Sequence, residues 1–101
     1  MMSIGRGTIS RGSKGRLVPT VRAVVNGGGL PKVFGIVVRQ LRKERGLSQE
    51  RLAAAAGIDR AYMGGLERGQ RNPSLTTIDR IAVALDLSIS EVLAAVERQR
   101  Q

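Results

Sequence analysis

Apolar residues recur with a helical period from Lys32 onward. Phe34, Val37, Val38 and Leu41 stand at i, i+3, i+4 and i+7, which is one stripe of a helix, and the spacing predicts a first helix over 32–44 that Gly46 closes. The next four starts share one device, a short polar residue able to cap the unpaired N–H groups, preceded by a residue able to pack on the fourth helical position. Ser48 follows Leu47, which faces Leu52. Asp59 follows Ile58, which faces Met63. Ser74 follows Pro73, and Ser88 follows Leu87, which faces Val92, with Glu91 completing an S-x-x-E capping box. Helices are therefore expected over about 49–56, 60–68, 75–85 and 89–97. Helices this short are marginal in isolation, so their stability must come from mutual packing. The expected core is Phe34, Val37, Leu41, Leu52, Ala53, Ile58, Met63, Leu66, Leu75, Ile78, Ile81, Leu85, Ile89, Val92 and Leu93. With one Phe and one Tyr in the chain, it is an aliphatic all-α bundle.

Upstream the pattern changes. Residues 1–31 hold seven of the 13 glycines and carry Arg6, Arg11, Lys14, Arg16 and Arg22, while every acidic residue lies at or beyond Glu44. Only the stretch 17–25 has the makings of a short strand. The organisation expected is a basic, largely disordered arm over 1–31 and one folded domain over 32–101. The arm reads either as a solvated tail or as a segment that tracks DNA phosphates or an adjacent minor groove.

Charge narrows the partner. There are 17 Lys and Arg against 8 Asp and Glu, a formal net charge of +9, which points to a polyanion. Cysteine and histidine are absent, removing disulfides, thiolate nucleophiles, the usual zinc ligands and imidazole acid–base chemistry. No nucleophile–base pair or metal constellation can be assembled, so no enzyme, metal or cofactor is expected. No run reaches the roughly 18 apolar residues of a membrane span, and the start lacks the apolar core of a signal peptide. A soluble cytoplasmic protein, with no membrane partner and no small-molecule effector, is the expectation.

From Ser48 to Arg68 the pattern is that of a helix-turn-helix. Leu52, Ala53, Ala56, Gly57, Ile58, Met63 and Leu66 sit where two helices crossing near a right angle need them, with Ala53 small for close approach and Gly57 able to turn the chain. An ordinary helical hairpin would show the same turn. The flanking stretches Leu41-Arg42-Lys43-Glu44-Arg45-Gly46-Leu47-Ser48-Gln49-Glu50 and Leu66-Glu67-Arg68-Gly69-Gln70-Arg71-Asn72-Pro73-Ser74-Leu75 add more. Over about Lys32 to Val96 the chain resembles the Cro-like, Xre-type transcriptional regulators. Its segment 59–69 is most similar to the controller proteins of restriction–modification systems, with phage and conjugative-element repressors also similar.

The resemblance implies a five-helix, lambda-repressor-like fold with the third helix in the major groove, binding an inverted-repeat operator in double-stranded DNA as a homodimer. It also implies an ion pair between Arg42 and Glu67, a phosphate contact for Gln49, and backbone or groove-edge contacts for Arg71 and Asn72. Helical geometry independently places Arg60, Ala61, Gly64, Gly65 and Arg68 on one face of the third helix and Tyr62, Met63 and Leu66 on the other. Arg60, at the first helical position, is the expected guanine reader, and Ala61 a partner for a thymine methyl. The adjacent glycines are expected to face outward and let the backbone approach the groove floor. The fifth helix, where Leu93 and Val96 extend an apolar stripe, and neighbouring residues of the fourth are expected to carry the homodimer contact. The alternatives are an antitoxin-type repressor, for which the sequence shows no extra segment beyond Val96 to mask a toxin, a mobile-element repressor, and a protein-interaction module that has lost DNA binding, which would lack the groove-facing cations this chain retains.

Overall fold

The computed structural model describes residues 29–101. Most of the expected basic arm, including the 17–25 strand candidate, lies outside the described residues. Those described form five helices: α1 Gly29–Glu44, α2 Gln49–Ala56, α3 Arg60–Glu67, α4 Leu75–Ala84 and α5 Ile89–Arg100. The apolar period locates α1 correctly but starts it too late. The helix takes in Gly29 to Pro31, because proline is tolerated in a first turn, where an N–H has no helical partner anyway. At the other end α5 runs on to Arg100, past the last apolar residue, through a polar stretch of good helix formers.

Every expected cap forms. Ser48 Oγ accepts from Arg51 N–H at 3.0 Å, Asp59 Oδ2 from Ala61 and Tyr62 N–H at 3.0 and 3.3 Å, and Ser74 Oγ from Thr77 N–H at 3.1 Å. At α5 the box is reciprocal, with Glu91 N–H donating to Ser88 Oγ at 3.1 Å and Ser88 N–H donating to Glu91 Oε1 at 2.8 Å. The Ser88 backbone N–H, followed by the Ser88 side chain and to a smaller extent by Arg45, holds the Glu91 carboxyl below the usual glutamate range. Between α2 and α3, Gly57 adopts φ 69°, and Ile58 N–H reaches back to Ala53 O at 2.9 Å. The same closure ends α4, where Asp86 takes the left-handed conformation at φ 61° and Leu87 N–H bonds Ala82 O at 2.9 Å.

Packing follows the two-layer logic of a small helical domain. α1 lies against α3 and α5, α2 against α3 and α4, and α4 against α5. The buried core comprises Phe34, Val37, Val38, Leu52, Ala53, Ala56, Met63, Leu66, Ile81, Ala82, Leu85, Val92 and Val96, with Leu41, Ile58, Tyr62 and Ile78 packed on its edge. Three expectations need correction. Leu75 is 75% exposed and Leu93 38% exposed, since a stripe position at a helix end is buried only if a neighbouring helix reaches it. Val96 is 2% exposed. It fills the α1–α5 core and is not free for a partner subunit.

Candidate nucleic-acid interface

The interface is built around α3. At its C-terminal end the Glu67 carboxylate joins three helices. Arg42 of α1 grips it with Nε to Oε2 at 2.7 Å and Nη2 to Oε1 at 3.0 Å, while Gln49 of α2 donates from Nε2 to Oε1 at 2.9 Å. Arg42 spends its remaining Nη1 on Leu47 O at 2.8 Å. Both charged residues are buried, and a buried guanidinium and carboxylate are tolerable together because the fork of donors satisfies the acceptor pair. The hydrogen bonds Arg42 donates to Glu67, and the charge of that carboxylate, raise the Arg42 pKa against the opposing effect of burial.

A second feature fixes the same end. Gly35 sits in the middle of α1, where a Cβ would run into the carbonyl oxygens of Leu66 and Glu67, the latter at 2.7 Å. Only a bare backbone lets α1 cross the last turn of α3 this closely. Sequence reading missed Gly35. Its signal was a glycine inside a strong apolar stripe, a placement that costs about 1 kcal/mol relative to alanine and therefore asks for a packing reason. Arg45 adds a tie that sequence reading also missed, from Nε to Leu85 O at 2.7 Å.

The outward side of α3 and its flanks bring the candidate residues together. Arg60 and Ala61 are exposed at its start, Arg68 follows its last residue, and Arg71 and Asn72 are exposed on the loop toward α4. Among the described residues Arg60 has no hydrogen-bond or ion-pair partner. Arg68 donates from Nε to Gln70 Oε1 at 3.2 Å, and the Arg71 guanidinium lies over the Tyr62 ring, 5.4 Å from its centroid.

Gly64 and Gly65 do not present open backbone. Both are buried. A Cβ on Gly64 would stand 3.3 Å from Arg68 Nη1 and 3.6 Å from Gln49 Oε1, and one on Gly65 would stand 3.2 Å from Arg71 Nε and 3.4 Å from its Cγ. The glycines face the outer side, as helical geometry places them, but in the free protein long neighbouring side chains lie across them. Helical periodicity sets a direction and is silent on what a flexible side chain from a loop will cover.

Of the acids on α3 and at its cap, Asp59 is committed to capping and Glu67 is held by Arg42 and Gln49. The exposed surface is thus net cationic and centred on a short helix clamped at one end. That arrangement defines the class. The helix-turn-helix family profile matches residues 38–92, and the chain belongs to that Cro-like family.

Particular relatives narrow it further. The chain is 39% identical over 67 residues to the control protein C.MunI of a Mycoplasma species, covering 65% of this chain and 90% of that one. Among solved structures, the restriction–modification controller protein C.AhdI from Aeromonas hydrophila is 52% identical, with a TM-score of 0.60 over 61% of this chain and 94% of that chain. The controller protein C.Esp1396I, solved as a tetramer with its natural 35-base-pair operator, is 28% identical with a TM-score of 0.66, over 69% and 92% of the two chains. Among the described residues, no helix is long and apolar enough to cross a membrane.

Proposed function

We propose that the protein is a sequence-specific DNA-binding transcriptional regulator that acts in the cytoplasm as a homodimer on an inverted-repeat operator, and that it is a binding protein and not an enzyme. The observation that carries this reading is the cationic outer face of α3, free of uncommitted carboxylates and locked in place through Arg42, Glu67 and Gln49. Similarity to controller proteins, one of them solved on its operator, supports it.

In this reading α3 enters the major groove, and Arg60 pairs with guanine O6 and N7 while Ala61 meets a thymine methyl. The Gln49 amide nitrogen carries two N–H groups. One holds Glu67, and the other is available to a phosphate near the positive end of α2. Arg68, Arg71 and Asn72 flank the groove and touch the backbone. Leu93 is the exposed large apolar residue of α5 for a dimer contact. The residues ahead of α1 add charge that neutralises phosphates without reading bases.

The test is selection of duplexes from a random pool by the full chain, followed by footprinting. Two half-sites related by a dyad and separated by about 34 Å, one turn of DNA, are expected. An enriched pool with no shared motif, bound no better than random duplex, would overturn the reading.

A further inference from the structure

Arg71 is a loop residue, and a flexible arginine on a loop loses much of its rotamer freedom when it docks on a phosphate or groove edge. Here it already rests on α3. Its guanidinium stacks on Tyr62, 5.4 Å from the ring centroid, and its aliphatic stem lies on Gly65, where a Cβ would come within 3.2 Å of Nε and 3.4 Å of Cγ. Tyr62 and Gly65 are three residues apart on α3 and so flank one strip of its surface.

We propose that Tyr62 and Gly65 form a seat that presets Arg71 for DNA, which makes them positioning residues for the loop contact and gives the second glycine of α3 a reason independent of groove access. The proposal rests on the DNA-binding function above. Arg71 is a cation held against an electron-rich face with its stem supported from below, so it meets the nucleic acid without first being ordered. Glycine at position 65 leaves room for the stem, and any side chain there competes with it for the same space. The seat predicts opposite signs for two properties of one substitution. Gly65→Gln improves helix propensity and so leaves the domain at least as stable, yet weakens DNA binding.

The experiment is a pair of double-mutant cycles on the full chain, Y62L with R71A and G65Q with R71A, read by competition titration at fixed salt on a duplex selected by the wild-type protein. Y62L is expected to weaken binding about two- to five-fold, the span of an exposed cation–π contact, and Y62F, which keeps the ring, to bind as wild type does. Both Y62L and G65Q should have no further effect in the R71A background. Full additivity in either cycle would overturn the seat, and so would a Y62F variant as weak as Y62L, which would make the tyrosine hydroxyl itself the contact. A second readout needs no DNA. The Arg71 side-chain protons in the free protein should show an upfield ring-current shift that disappears in Y62L. Random-coil positions in the wild-type protein would remove the seat. If the shift is present and no duplex is bound, the seat is real and it is the DNA-binding reading, with the role given to Arg71 in it, that fails.

Discussion

The two ends of α3 are built on opposite plans. Its last turn is held by a buried carboxylate with ligands from α1 and α2 and by the bare backbone of Gly35 pressed on its terminal carbonyls. Its first turn is anchored by the Asp59 cap and by Tyr62 and Met63 on the core side, with no tie from α1, and displays Arg60 and Ala61 to solvent. One end decides where the helix stands and the other what it can touch. The separation implies that substitutions at the two ends fail differently, the first through folding and the second through recognition.

The largest effect should come from removing the carboxylate. Glu67→Ala leaves the Arg42 guanidinium buried without its partner and releases Gln49, and breaking a pair of this kind costs about 3–5 kcal/mol. Chemical denaturation should show that loss, with the midpoint moving and the slope unchanged. A loss below about 1 kcal/mol would mean that the clamp behaves like a surface ion pair. Gly35→Ala attacks the same end sterically. Its Cβ meets backbone atoms that cannot rotate away, so a destabilisation of about 1–3 kcal/mol is expected despite the better helix propensity of alanine. A stabilised G35A protein would show that α1 can shift off α3 freely.

At the other end, Arg60→Ala should leave the denaturation curve within about 0.5 kcal/mol of wild type, as exposed substitutions usually do. Its effect belongs to DNA. About 1–3 kcal/mol should be lost on the selected site and much less on random duplex, measured in competition at one salt concentration. Equal losses on both would make Arg60 a phosphate contact and move base reading to the loop or to DNA shape.

The smallest effect is a control remote from both ends. Because the folded-state pKa of Glu91 is depressed, its capping box contributes stability above the ordinary glutamate pKa of about 4.3. That contribution is lost as pH falls through this value and then through the lower one of the folded protein. Thermal melts of wild type and Glu91→Gln should therefore differ at neutral pH and converge in acid, with preference for the selected duplex at neutral pH unchanged. A constant gap across the range would show that the carboxylate charge plays no part in the cap.

What could be read from the sequence divides along similar lines. The caps at Ser48, Asp59, Ser74 and Ser88 were legible because each is a contract between residues two or three apart. Long-range features were not. Nothing near Gly35 announces α3, and nothing in the Gly64-Gly65 pair says that Arg68 and Arg71 will lie over it. Leu75 and Leu93 have the right period for burial but no helix above them, and Val96 is buried because α1 reaches it from far away in the chain. The Arg42–Glu67 pair follows from family resemblance, since 25 residues separate the two and no local rule connects them.

That last kind of distance has a consequence for how the chain is made. Of the described helices α1 leaves the ribosome first, but one of the two helices it packs against is α5, and Val96 emerges 59 residues after Val37. At about 5–20 residues per second, that interval lasts on the order of 3–12 seconds. Until α5 is made, Phe34, Val37 and Val38 have an apolar stripe with only part of its cover and α4 waits for the same partner, whereas α2 and α3 have all their neighbours once α4 is out. The helix that clamps α3 is thus made before the other described helices and is among the last to complete its contacts, and variants that loosen its hold on α3 lengthen the exposure of the stripe to other nascent chains.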